Sequence, residues 1–172
     1  RTAHPVALRP LLMEVAQRYA GARVPVTTSF VEEAFVVGRA DDLRRVLSNL
    51  VDNAVRHATT SVHLSARANG PEVEVTVSDD GLGIPPAERE RVFERFTRLD
   101  DARARDAGGS GLGLPIVREL VRRTGGEVRL EEAPGGGLVA RVVLPRTTDV
   151  SASGDAAARL TTVSDPSRTL TE

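Results

Sequence analysis

The sequence contains no cysteine and no lysine, and it has few aromatic residues. The lack of cysteine excludes disulfides, thiolate metal sites and thiol catalysis. Because all 23 basic residues are arginine, the lysine of a phosphate-binding P-loop, the strand lysine of protein kinases and a Schiff-base lysine are also excluded. Aromatic residues make up only 3% of the chain, which argues against a surface that stacks on nucleic-acid bases.

The sequence has no apolar run long enough to cross a bilayer, and no secretory signal opens it. Its net charge of −1 argues against a general nucleic-acid or membrane-surface role, so no nucleic-acid partner is expected. A hydrophobic content of 40% and a charged content of 27% are typical of a globular domain. Since the chain starts at Arg1 and its only methionine is Met13, we expect a fragment of a longer protein.

Apolar periodicity, interrupted by glycine and proline, predicts a mixture of helices and strands. Helices are predicted over 8–20, 40–57, 87–96 and 112–123, and strands over 24–30, 34–37, 61–67, 72–77, 127–131 and 138–144. This order predicts an α+β, two-layer sandwich, with helices covering one face of a mixed, largely antiparallel sheet. The domain is predicted to span 1–146. Residues 147–172 lack periodicity and are predicted to form a disordered or loosely packed tail.

One face of the predicted helix over 40–57 carries an unusual polar row. At about 100° per residue, Asn49, Asn53 and Arg56 share this face. The apolar stripe lies about a third of a turn away and consists of Leu43, Leu47, Leu50, Ala54 and Ala58. Amide oxygens suit a hard cation and a guanidinium suits phosphate, so the row indicates a ligand surface. Considered alone, the helix is better explained as an amphipathic helix with a polar solvent face.

Two glycine-containing loops strengthen the ligand hypothesis. The first, Asp79-Asp80-Gly81-Leu82-Gly83-Ile84, ends a strand with a carboxylate that can accept from an exocyclic amine such as that of adenine. The second, 108–115, runs directly into a helix, and such a loop can cradle phosphate with its free N–H groups. It is not a Walker A loop, because Leu114-Pro115 stands where Lys-Ser/Thr would be. A flexible linker explains its glycines, but not the abrupt apolar helix that follows.

In order and spacing, four segments resemble the sequence boxes of bacterial sensor histidine kinases. They are 49–57 for the N box, 79–84 for the G1 box, 90–96 for the F box and 109–114 for the G2 box, with Gly125-Gly126 as the last glycine pair. The resemblance covers roughly residues 6 to 146 and is to the catalytic, ATP-binding domain, of the Bergerat type shared with gyrase, Hsp90 and MutL. It implies the Bergerat ATP-binding fold, with ATP and Mg²⁺ as ligands.

The resemblance also implies roles for individual residues. The oxygen of Asn53 helps to hold Mg²⁺, Asn49 and Arg56 contact phosphates or their waters, and Asp79 binds the adenine amine. The rest of the implied nucleotide pocket comprises His57, Gly81, Gly83, Ile84, Gly109, Ser110, Gly111, Leu112, Gly113 and Leu114. Arg103 and Arg105 match arginines of the family's lid, and one of them is expected to neutralise γ-phosphate charge. Phe93 and Phe96 are expected to anchor the lid by packing.

Asn49 separates the possible functions within this group. In the ATP-hydrolysing relatives the residue four before the metal-binding asparagine is normally glutamate, which can act as a general base. Asn49 cannot take a proton, so the site is expected to spare ATP from water and to transfer phosphate to a histidine, which needs little activation. Asp52 is rotated roughly 100° off the polar row, which predicts a structural role. Asp80 stands where asparagine is common and adds a negative charge near the pocket.

The chain lacks the phosphoacceptor that a histidine kinase needs. His4 and His63 are not followed by the acid and the proline or threonine of an acceptor motif. We therefore expect the acceptor on a separate dimerisation domain, and a response regulator receiver domain as the next partner. The whole protein is expected to be a membrane-anchored homodimer with this domain in the cytoplasm, and the fragment itself a monomer. A non-catalytic nucleotide sensor, an ATPase, and an interaction domain whose glycine loops are only linkers remain as alternatives.

Overall fold

The computed structural model describes residues 2–94 and 113–151, without the side chain of Phe30. Within these residues the helices are α1 (Leu8–Arg18), α2 (Ala40–His57) and α3 (Gly113–Arg123), with 3₁₀ turns at Pro86–Glu88 and Arg91–Phe93. The strands are β1 (His4–Ala7), β2 (Val26–Val31), β3 (Phe35–Gly38), β4 (Val62–Asn69), β5 (Glu72–Asp79), β6 (Glu127–Glu132) and β7 (Leu138–Thr147). Within the described ranges, no helix is both long and apolar enough to cross a membrane.

The seven strands form one mixed sheet with the order β1-β3-β7-β5-β4-β2, and β6 pairs with β7 beside β3. All of these pairings are antiparallel except that between β2 and β4, which is parallel. The helices α1, α2 and α3 pack on the sheet, which confirms the predicted α+β sandwich. The strand β5 lies between β4 and β7, so the loop that follows Asp79 leaves from the middle of the sheet.

The two faces of the central strands differ as the alternating sequence predicts. Val73, Val75 and Val77 of β5 are at most 2% exposed and belong to the hydrophobic core, together with the apolar stripes of the helices. On the opposite face Glu74 accepts hydrogen bonds from Arg67 and Arg141, each at 3.4 Å. Paired charges around Glu74 therefore lie on the side of the sheet that faces away from the core.

The helix α2 has charges that match its dipole. Asp41 and Asp42 lie in its first turn, and Arg56 and His57 in its last. At its carboxyl end, Arg23 donates hydrogen bonds to the carbonyl oxygens of Val55 and Ala58, both at 2.5 Å. These carbonyls have no partner within a helix that ends at this point, so Arg23 holds the end of α2 against the segment between α1 and β2.

The structure differs from the sequence prediction in three places. The strand β1 was not predicted, and it forms because residues 4–7 pair with β3 at the sheet edge, where Pro5 is tolerated. The predicted helix over 87–96 is replaced, up to residue 94, by the two 3₁₀ turns. Thr147 was assigned to the tail, but it is the last residue of β7 because it pairs with Phe35. Residues 152–172 of the predicted tail lie outside the described residues.

Candidate functional site

Asp79 is the last residue of β5 and lies opposite Val62 of the neighbouring strand. It is only 6% exposed and is the one buried charged residue among those described. Its Oδ1 accepts a hydrogen bond from the backbone N–H of Gly81 at 2.9 Å, and the backbone N–H of Leu138 donates to the same carboxylate. The sheet thus places an acceptor side chain at the floor of the loop that the sequence predicted to bind a base.

Burial raises the pKa of Asp79 above its usual range, because the ionised form loses solvation. The N–H groups of Gly81 and Leu138 act in the opposite direction, and the neighbouring charge of Asp80 raises the pKa further. A ligand that covers this carboxylate displaces its remaining water. Such a ligand is favoured if it donates a hydrogen bond in place of that water. An adenine amine is a donor of this kind.

We expect Asp79→Asn to change how the free energy of unfolding depends on pH. Because the pKa of Asp79 is raised in the folded state, the folded protein holds this proton to a higher pH than the unfolded chain. From about pH 4 up to the raised pKa, the wild type should therefore lose stability as pH rises. The variant has no such group, so its stability relative to wild type should increase across this window and then level off.

Urea unfolding of both proteins between about pH 4 and pH 8 measures this difference. Asp149→Asn is the matched control, because hydrogen bonds to Ser151 lower the pKa of Asp149 and its effect falls below the window. Parallel stability curves for wild type and Asp79→Asn would show that Asp79 ionises in the folded state as readily as in the unfolded chain.

The end of α2 touches the loop after Asp79. A Cβ atom on Gly81 would overlap the carbonyl oxygen of His57, the last residue of α2. Gly83 has a φ of +72°, and a Cβ there would lie 3.1 Å from the carbonyl oxygen of Gly137. Both glycines of the first loop are therefore required by close backbone approach, one against α2 and the other against the start of β7.

Gly137 is a site residue that the sequence analysis missed. The sequence pattern places it only between the strands predicted over 127–131 and 138–144. In the structure a Cβ on it would overlap the carbonyl oxygen of Asp79, and its φ is +99°. The signal was present as three consecutive glycines after Pro134, one more than a two-residue hairpin turn needs. Gly137 lets the backbone of the turn pack directly against the floor of the site.

The polar row of α2 lies beside this floor. Asn53 is one helical turn before His57, and Asn49 is one turn further back. Both asparagines are half-buried and Arg56 is exposed. Among the described residues, no side-chain hydrogen bond or ion pair is recorded for Asn49, Asn53 or Arg56. The two amides and the guanidinium thus line the helix next to a buried acceptor.

Asp52 lies on a different side of α2. Its Oδ1 accepts a hydrogen bond from the hydroxyl of Tyr19 at 2.6 Å, and the same hydroxyl lies 3.1 Å from the carbonyl oxygen of Ser48. Burial and the contact with Asp52 raise the pKa of Tyr19. Asp52 therefore joins α2 to the end of α1, which agrees with the structural role that its position predicted.

The residues present fit a magnesium nucleotide. A buried carboxylate suits the donor edge of adenine, and half-buried amide oxygens suit a hard cation that shares its coordination with phosphates and water. Within the described part of the chain, no group of three or more histidine or acidic side chains could hold a metal by itself.

Comparison with known families matches residues 38–148 to the family described as histidine kinase-, DNA gyrase B-, and HSP90-like ATPase. The chain belongs to this family. It is 37% identical over 136 residues to the sensor-like histidine kinase SenX3 of Mycolicibacterium smegmatis, covering 78% of this chain and 35% of that protein. The chain therefore spans about a third of the length of this curated relative.

Solved structures of sensor histidine kinases share the fold of this domain. The mycobacterial sensor histidine kinase MprB superposes with a TM-score of 0.74 at 30% identity, covering 84% of this chain and 98% of that chain. The ATP-binding domain of PrrB from Mycobacterium tuberculosis superposes with a TM-score of 0.69 at 33% identity, covering 86% and 100%. The chain thus has the sequence and fold of a sensor histidine kinase ATP-binding domain.

The remaining predicted site residues fall into two groups, those that the structure describes and those that it does not. Ile84 and Leu114 are buried in the core cluster, Gly113 is the first residue of α3, and the side chain of His57 is exposed. The other predicted site residues, together with Phe96, lie outside the described residues: Arg103, Arg105, Gly109, Ser110, Gly111 and Leu112.

Phe93 is buried and contacts α3. It is 6% exposed, and the guanidinium of Arg118 on α3 lies 4.1 Å from the centre of its ring. Arg118 also bonds Glu90 at 2.6 Å. One arginine of α3 therefore binds both Glu90 and Phe93, which fixes the segment that precedes residue 95 against the helix.

Proposed function

We propose that this domain binds Mg-ATP and presents the γ-phosphate to a histidine on a separate dimerisation domain, from which it passes to an aspartate of a response regulator. The observation that carries the proposal is Asn49, an amide on the face of α2 where an ATP-hydrolysing relative has a carboxylate. Two carboxylates of this region have other partners, since Asp52 accepts from Tyr19 and Asp79 accepts from Gly81.

Three groups would hold the nucleotide. The oxygen of Asn53 would ligate Mg²⁺, Asn49 and Arg56 would bind phosphates or their waters, and Asp79 would accept from the adenine amine. When bound, Mg²⁺ would neutralise charge on the transferred phosphoryl group. One of the two residues Arg103 and Arg105 would neutralise charge on the γ-phosphate.

The proposed reaction needs no base from this domain. The bond between the γ-phosphorus and the bridging oxygen breaks, a bond from phosphorus to a histidine nitrogen forms, and ADP leaves, while the N–H proton of the other ring nitrogen passes to solvent. A neutral imidazole has a free electron pair for this attack, whereas water must lose a proton. The chain therefore has to position ATP and exclude water, which agrees with an amide at position 49.

The location and assembly of the whole protein are part of the same proposal. The curated relative SenX3 is a sensor-like histidine kinase about three times the matched length. By analogy, we propose a homodimer anchored in a bacterial membrane, with this domain on the cytoplasmic side and monomeric when isolated. The described residues supply only the nucleotide-binding part of such a protein.

The isolated chain is expected to bind ATP in a Mg²⁺-dependent manner with negligible turnover, and to phosphorylate a dimerisation domain supplied in trans. Calorimetry measures the binding, release of inorganic phosphate measures the turnover, and transfer of radiolabel measures phosphorylation. A dimerisation domain whose acceptor histidine is replaced by glutamine is the control, and it should remain unlabelled.

The alternatives give different results. Brisk hydrolysis by the isolated chain would show that Asn49 does not protect ATP and would favour an ATPase. Binding without transfer to any dimerisation domain of the relatives would favour a nucleotide sensor. Absence of nucleotide binding would leave an interaction domain.

A further inference from the structure

The carboxylate of Asp80 accepts hydrogen bonds from three consecutive residues of one turn. Its Oδ1 accepts backbone N–H groups from Thr59 and Thr60, both at 2.9 Å, and from Ser61 at 3.3 Å. Its Oδ2 accepts from the same N–H of Thr60 at 3.1 Å and from the hydroxyl of that residue. Four donors from three consecutive residues thus converge on one carboxylate. Their hydrogen bonds stabilise the ionised form and hold the pKa of Asp80 far below its usual range.

The turn that Asp80 binds joins α2 to β4. It starts just after Ala58, which follows the last residue of α2, and it ends at the first residue of β4. On the other side, Asp80 lies between Asp79 and Gly81, whose backbone packs on the carbonyl oxygen of His57. Asp80 is therefore the side chain that ties the loop carrying the buried acceptor to the end of the helix carrying the polar row.

We propose that Asp80 is a positioning residue that sets the alignment of the adenine-binding carboxylate relative to the asparagines of α2. The inference rests on the proposed function, because the alignment matters only for a ligand that contacts both Asp79 and the polar row. Mg-ATP is such a ligand, since its base would reach Asp79, its metal Asn53 and its phosphates Asn49. Adenosine would reach Asp79 alone.

This difference between ligands separates positioning from simple stability. A variant that only lowers the folded population weakens every ligand by the same factor. A variant that lets Asp79 shift relative to the asparagines of α2 weakens binding of the ligand that must contact both. Small misplacements are costly only where several contacts have to be made at once. The ratio of the Mg-ATP and adenosine affinities therefore reports on alignment.

The experiment compares wild type with Asp80→Ala, Asp80→Asn and Thr60→Val, using NMR titrations with adenosine and with Mg-ATP. For Asp80→Ala we expect Mg-ATP affinity to fall about tenfold and adenosine affinity to change by about twofold or less. Asp80→Asn keeps one acceptor oxygen, so its Mg-ATP affinity should lie between those of wild type and Asp80→Ala. Thr60→Val removes one of the four donors and should show a smaller loss in the same direction.

Electrostatics make the test stringent. Loss of the Asp80 charge by itself favours an anionic ligand, so a fall in Mg-ATP affinity runs against this effect. Thr60→Val leaves the charge in place. Glu32→Ala is the matched control, because Glu32 also accepts a backbone N–H, that of Ala68 at 2.8 Å, at the opposite end of β4. It should leave the affinity ratio unchanged.

The possible failures are distinguishable. If wild type binds both ligands and Asp80→Ala weakens both equally, or weakens neither, the inference about Asp80 is wrong and the proposed function stands. The same holds if Glu32→Ala changes the ratio as strongly as Asp80→Ala. If wild type binds neither ligand, the proposed function is wrong and the role of Asp80 is rejected with it.

Discussion

Asn53→Ala is expected to weaken Mg-ATP binding by about 1–3 kcal/mol, the range for a lost polar contact to a charged group. In affinity this is a loss of roughly 5-fold to 150-fold. The physical reason is that the Asn53 oxygen would replace a water of the metal, and alanine offers no oxygen. Because the proposed contact is with the metal, the loss should be much smaller for ATP measured in the presence of a chelator.

Folding gives no competing explanation for such a loss. Asn53 lies inside α2, where alanine is the better helix former by a fraction of a kcal/mol. The free energy of unfolding should therefore stay constant or rise. Asn69→Ala is the matched control, because Asn69 is exposed at the end of β4 beside the turn to β5. Equal affinity of wild type and Asn53→Ala for Mg-ATP would remove Asn53 from the proposed metal site.

Gly137→Ala is expected to destabilise the domain by about 3 kcal/mol or more, since it combines backbone strain with overlap against a buried segment. The φ of +99° disfavours any side chain, and the added Cβ would overlap the carbonyl oxygen of Asp79. The turn cannot easily yield, because the carbonyl oxygen of Gly137 accepts the N–H of Ala133 at 3.0 Å. Urea unfolding measures the loss.

Gly135→Ala provides the matched comparison in the same turn. Gly135 also has a positive φ, +85°, but a Cβ there would meet no atom within 4 Å. It should therefore show only the backbone penalty, about 1–2 kcal/mol. The excess in Gly137→Ala measures the contact with Asp79. If the two variants lose the same stability, the packing of this turn against the site floor is not rigid.

Much of the fold could be predicted from the sequence because burial is periodic. The apolar stripe of α2 recurs at helical spacing, and β5 alternates between buried valines and polar residues. Both patterns are local, so they mark helix and strand with no knowledge of the partner. The strand β1 is different, since four residues that include a proline form a strand only because β3 offers an edge.

The candidate site shows the same division. The order of the glycine loops and the row Asn49, Asn53 and Arg56 could be found from spacing alone, and they indicate a ligand surface. The nucleotide and the absence of a base at position 49 are what the resemblance to histidine kinases implies. The sequence offered no sign that Asp80 binds the turn after α2, because that contact joins residues 20 apart. From the sequence, Asp80 is only an added charge near the pocket, whereas in the structure its carboxylate accepts hydrogen bonds from four donors.

By itself, the sequence determined the fold class, the family resemblance and the chemical groups available to a nucleotide, because these depend on residue type and local spacing. The tertiary structure alone decided how the walls of the site are joined. Gly137 beneath Asp79, His57 against Gly81 and the turn held by Asp80 all depend on where distant backbone segments meet. Such meetings follow from the packing of the whole sheet and its helices, which no local pattern encodes.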